Sequence, residues 1–198
     1  MKLVVQPYTV KWQEQFSSIA YDLKALLADE DVQIDHIGST SVDGLSAKPI
    51  IDIQLGVKDE VALDKISNIL QAPNIVYYEK YNEFMPQRRF FVLFNCSIDD
   101  LGAPSVVKLK EDVPDILQNH DLRIAHIHVF VKGSEDWVRH IAFRDYLRVH
   151  PEVKNAYQSL KELLAKKEWK DGNDYNAAKD TFLKKEEQKA IEWYKINR

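Results

Sequence analysis

Residues 35–54 read DHIGSTSVDGLSAKPIIDIQ. VQIDHIG predicts a short strand ended by Gly38. PIIDIQLGV, from Pro49 to Val57, predicts a second strand rich in β-branched residues. Period-two alternation puts Ile51, Ile53, Leu55 and Val57 on one face of that strand and Asp52 and Gln54 on the other. An aspartate inside an apolar strand is costly to bury without a partner, which a metal, a cationic ligand or the N–H groups of a turn can supply. Before it, Gly38, Ser39 and Thr40 form a small hydroxyl-rich turn, where backbone N–H groups and the two hydroxyls suit phosphate oxygens.

Working outward, TVKWQEQFSSIAYDLKALLAD places Trp12, Phe16, Ile19, Leu23, Leu26 and Leu27 at helical spacing after Pro7. DEVALDKISNILQ predicts a second helix, and NIVYYEK and RRFFVLFNC predict two strands. The stretch 97–121 carries Gly102, Pro104 and Pro114 around a strand-like SVVKLK and reads as an irregular insertion. RIAHIHVFV is the last strand. Ser134 then serves as the cap of EDWVRHIAFRDYLRVH, Pro151 opens PEVKNAYQSLKELLAKK, and Asp174 is placed to cap a final charged helix. The order predicts a single α+β domain over 1–198: a mixed β-sheet flanked by helices, with a helical C-terminal part over about 134–198.

Charge is nearly balanced, with 27 basic and 31 acidic residues in 198 and a formal net of -4. That disfavours bulk nucleic acid as a partner, since proteins that live on its backbone are usually basic. The lone Cys96 makes no internal disulfide and reads as a small buried hydrophobe. MKLVVQPYTV predicts no signal peptide, and no apolar run approaches the roughly 20 residues of a membrane span. A cytoplasmic protein is expected, with no membrane partner.

Further candidates lie downstream. His126 and His128 share one strand face and are candidates for metal ligation or acid–base work. A third alternating histidine is absent, because position 130 is Phe. Lys48 stands at the mouth of the Asp52 strand, suited to phosphate or to Asp52 itself. Of Arg88 and Arg89, one points to each sheet face, so one can enter a cleft; Arg89 is taken as the candidate. His140, Arg144 and Arg148 form a basic stripe one helical turn apart.

HIGSTSVDGLSAKPIIDIQLGV, HIHVF and HIAFRDYLRVHPEVKNAYQSLKELLA together resemble the GrpB family of small bacterial proteins, from about Pro7 to the last helix, with 97–121 as an extra. The resemblance implies a nucleotidyltransferase-like fold. In that superfamily a Gly-Ser precedes an Asp-x-Asp or Asp-x-Glu pair on the next strand, and the pair holds divalent metal against a nucleotide. Gly38, Ser39 and Asp52 match that pattern, whereas the second carboxylate position is Gln54. The His-x-His motif, Arg144 and the YNAAK stretch ending in Lys179 also match the family. The expected site therefore has Asp52, His126 and His128 as catalytic residues. Gly38, Ser39, Thr40, Lys48, Arg89, Arg144 and Lys179 are expected around substrate or phosphate. Mg²⁺ or Mn²⁺ is expected at Asp52, with Gln54 a weak neutral ligand. The expected function is nucleotidyltransferase-like action on a nucleotide or small phosphorylated molecule. The alternatives are a non-catalytic binder that kept the fold, and a hydrolytic metal site led by His126 and His128.

Overall fold

The alternation in IIDIQLGV produces a two-faced strand at the centre of the protein. The structure is a computed structural model describing residues 4–170 and 172–198. The described elements run α1 (Lys11–Leu26), β1 (Gln33–Ile37), β2 (Ile51–Val57), α2 (Glu60–Ile69), β3 (Ile75–Tyr77), β4 (Arg88–Phe94), α3 (Asp115–Gln118), β5 (Arg123–Val131), α4 (Glu135–Val149), α5 (Pro151–Ala165) and α6 (Gly172–Asn197). The strands form one mixed sheet in the order β1-β2-β5-β4-β3. Within it β2 and β5 are parallel and the other neighbours antiparallel. Helices flank this sheet as the α+β reading expects.

One face is apolar. Ile51, Ile53, Leu55 and Val57 join Phe91, Ala125, Ile127 and Val129 against Trp12, Ile19 and Leu23 of α1 and Leu63 and Ile66 of α2. Asp59 caps α2 by accepting from the Ala62 N–H at 2.8 Å. The opposite face presents Asp52 and Gln54 beside His126 and His128, which they meet in register. α4 covers one end of this face through Trp137 and Ile141, packed against Phe130 and Ile37. It sits close because residue 56 is glycine: a Cβ there would lie 2.7 Å from Trp137 Nε1. The end holding Asp52 and His126 stays open and becomes the floor of a cleft.

The 97–121 insertion is irregular, as expected, but it is packed. SVVKLK makes only an isolated bridge, Tyr77 to Val106, and Ile98, Val107 and Leu117 pack with Val76, Tyr78, Val92 and Phe94 in a second core. This packing carries Asp112, Asp115, Gln118 and His120 to the cleft. Asp174, expected as a cap, lies instead in the first turn of α6, which begins at Gly172.

Candidate functional site

The cleft encloses about 1230 Å³ above the open end of β2 and β5. Asp52 is its central carboxylate. Its Oδ1 is 3.2 Å from His126 Nδ1, and its Oδ2 lies against Gly38, where a Cβ would approach to 2.4 Å. Gly38 has φ of 69°, a left-handed conformation that glycine adopts without steric cost. The Gly-Ser turn therefore puts bare backbone against the carboxylate. Ser39 and Thr40 line the same cleft. Tyr157 of α5 lines it as well. Thr40 is committed inward: its Oγ1 is 2.9 Å from His36 Nε2.

Around Asp52 the cleft is basic although the chain is acidic. Lys48, Lys80, Arg88, Arg123, Lys161, Lys170 and Lys179 line it, against the carboxylates Asp52, Asp112 and Asp115. Lys48 and Lys179 lie over the Tyr175 ring, at 5.1 and 4.2 Å from its centroid. Burial pulls the Lys48 ammonium down to about 8, with Arg123 adding to the effect and Asp52 opposing it. Burial, then the charge of Lys48, pulls Lys179 to about 8, again opposed by Asp52. Lys161 is 3% exposed. Its Nζ donates to the Ser46 carbonyl and lies 4.7 Å from the Tyr157 ring centroid. Burial, then Lys179, brings it to about 7. None of these three lysines forms an ion pair among the described residues. Crowded, partly desolvated cations that form no ion pair are stabilised by an arriving anion.

Comparison with known proteins places this architecture. A family model described as GrpB protein matches residues 2–189. The chain belongs to the GrpB family. It is 30% identical to the UPF0157 protein YqkA of Bacillus subtilis over 98% of its length, and spans 49% of that longer protein. It is 28% identical to the glutamate-rich protein GrpB of Alkalihalophilus pseudofirmus, with 92% of each chain covered. The crystal structure of the conserved protein GrpB from Enterococcus faecalis superposes with a TM-score of 0.71 at 28% identity, over 96% of this chain and 99% of that one.

In this GrpB protein the cleft gathers Ser39, Thr40, Lys48, Asp52, His126, His128 and Lys179 of the expected set, with Gly38 touching Asp52. Three expected residues, Arg89, Arg144 and Gln54, lie elsewhere. Arg89 points to the other sheet face and pairs with Asp64 of α2 at 2.6 Å; the alternation of β4 brings Arg88 into the cleft instead. Arg144 is a tie between helix and sheet: it pairs with Asp35 at 3.3 Å and Asp145 at 2.8 Å, and donates to the His36 carbonyl. His128 forms part of the cleft floor, its ring 5.0 Å from Phe90 and 5.9 Å from His140. Burial, then the charge of His140, holds it neutral, well below the ordinary histidine range.

Gln54 is fully buried and donates from Nε2 to the Trp137 carbonyl at 3.2 Å, so it anchors α4 and does not line the cleft. A resident divalent ion at Asp52 would find His126 as its neighbour and lysines around it. No group of three or more His, Cys, Asp or Glu is placed to hold a metal among the described residues. The donor set does not fit a resident metal. Lys161, Tyr157, Arg123 and His120 are cleft residues that sequence reasoning missed. The signal for Lys161 was faint: a lysine on the same stripe of α5 as Tyr157 and Leu164, on the buried side of an amphipathic helix.

Proposed function

We propose that this GrpB protein binds a phosphorylated small molecule of the nucleotide class in the cleft around Asp52. The observation that carries this reading is the convergence of Lys48, Lys161 and Lys179, with Arg123 beside them, on a site where no carboxylate among the described residues forms an ion pair with the three lysines. The Gly38–Thr40 turn adds backbone N–H groups and the Ser39 hydroxyl at the same place. A polyphosphate would satisfy the lysines together, and charge-assisted bonds of this kind are the strong ones. Thermal unfolding with inorganic tripolyphosphate and with nucleoside triphosphates tests it. Ligand at a hundred times its Kd adds about 2.7 kcal/mol, a shift of several degrees for a chain of this size. That shift should shrink with salt and vanish in Lys48→Glu/Lys179→Glu. No shift with any polyphosphate contradicts the reading.

Nucleotidyl transfer is the second reading, favoured by the bare Gly38 backbone against the Asp52 carboxylate. The divalent ion would then arrive as part of the nucleotide complex. Pyrophosphate release that requires Mg²⁺ or Mn²⁺ and is lost in Asp52→Asn would support it; nucleotide binding without release leaves the protein a binder.

A further inference from the structure

Lys48, Lys161 and Lys179 occupy one side of the cleft, and the opposite side, at β4, has a different chemistry. There Tyr81, Phe84, Met85, Arg88 and Phe90 line the wall. β4 lies two strands from β2 in the sheet, so Phe90 stands about 10 Å across from the Asp52 strand. Phe84 is 77% exposed, which leaves a phenyl ring uncovered at the edge of a binding cleft. Tyr81 is held by stacking on Tyr78 at 5.6 Å. The Arg88 guanidinium lies 5.1 Å from the centroid of the Phe90 ring. It forms no ion pair among the described residues, and its Nε is buried without a hydrogen-bond partner. A buried guanidinium Nε–H left unsatisfied is a strong demand for an acceptor.

Resting on the phosphate reading above, we propose that the β4 side of the cleft is a nucleobase subsite that favours guanine. The base stacks along Tyr81 and Phe84, and Arg88 donates to the O6 and N7 acceptors of its edge. A planar fork matches that pair of acceptors, whereas adenine offers N7 beside a donor amino group. Stacking on the aromatic wall is tolerant of base identity, so Arg88 supplies the discrimination.

Calorimetric titration of the full chain with GTP, ATP, CTP and inorganic tripolyphosphate tests this. GTP should bind about tenfold tighter than ATP or CTP, and tighter still than tripolyphosphate. Phe84→Ala and Arg88→Ala should each weaken GTP about tenfold while leaving tripolyphosphate within twofold, which also reports that the variants are folded. Arg88→Ala should in addition abolish the preference for GTP over ATP. Equal affinity for GTP and tripolyphosphate overturns the subsite but leaves the phosphate reading standing. Equal affinity for GTP and ATP overturns the guanine edge, and an equal loss of both ligands in Arg88→Ala makes Arg88 a phosphate contact. Failure of all four ligands to bind overturns this proposal and the phosphate reading together.

Discussion

Gly38 is the residue on which the geometry around Asp52 depends most. Its φ of 69° and the 2.4 Å approach of a would-be Cβ to Asp52 Oδ2 make two separate objections to any side chain there. Gly38→Ala is therefore expected to destabilise the fold by about 1–3 kcal/mol and to turn the Asp52 carboxylate away from the turn. Urea unfolding measures the first effect. The second is read as a loss of polyphosphate affinity at a pH and temperature where the variant remains folded. His36 acts at the same scale but only on stability. Buried at 5% exposure and bonded to Thr40 and Gln13, it is held neutral, its pKa lowered by burial to about 4. Between about pH 6.5 and 4 the unfolded chain binds the proton that folded His36 refuses, so stability falls as pH drops through that window, by about 3 kcal/mol from this residue. His36→Gln should flatten that slope relative to the parent chain in urea midpoints taken at pH 7 and pH 4.

At the scale of elements, β2 serves two purposes along one face: Asp52 faces the cleft, and two residues on, Gln54 is sealed under α4. This is why the missing second carboxylate is structural. Gln54→Glu would bury a carboxyl beneath Trp137, where it must stay neutral. At pH 7 that costs about 4 kcal/mol relative to an ordinary glutamate, so the substitution should lower stability sharply above about pH 5 and create no metal site. Gln54→Met, which also removes the unpartnered Oε1, should cost under about 1.5 kcal/mol. Much of this was legible beforehand. Alternation alone assigned the faces of β2 and β5, and the capping residue Ser134 located the start of α4. Parity could not choose between Arg88 and Arg89, because both faces of β4 are covered and each arginine finds a use. Lys161 was hidden for a related reason: on an amphipathic helix a buried lysine differs from a solvated one only by what distant segments place opposite it, here the Ser46 carbonyl and Lys179 of α6.

For the whole molecule, the formal charge of -4 masks a basic cleft assembled from distant segments: Lys48 before β2, Arg123 at the start of β5, Lys161 on α5 and Lys179 on α6. No local run of sequence announces such a patch, because chain folding alone brings its members together. α6 contributes twice, its N-terminal half offering Tyr175 and Lys179 to the cleft and its C-terminal half packing on α4 through Ala190 and Trp193. With Lys48 and Lys179 both lowered to about 8, the free cleft has lost much of its charge at pH 8.5. A polyanion raises both values again, so binding at that pH must take up protons, and affinity must fall as pH rises from 7 to 9. Calorimetric titration of inorganic tripolyphosphate at pH 8.5, in two buffers of different ionisation enthalpy, tests the claim of an anion site most directly. Binding with net proton uptake, lost in Lys48→Met/Lys179→Met, is the expected result; no binding, or binding without uptake that survives the double substitution, would contradict it.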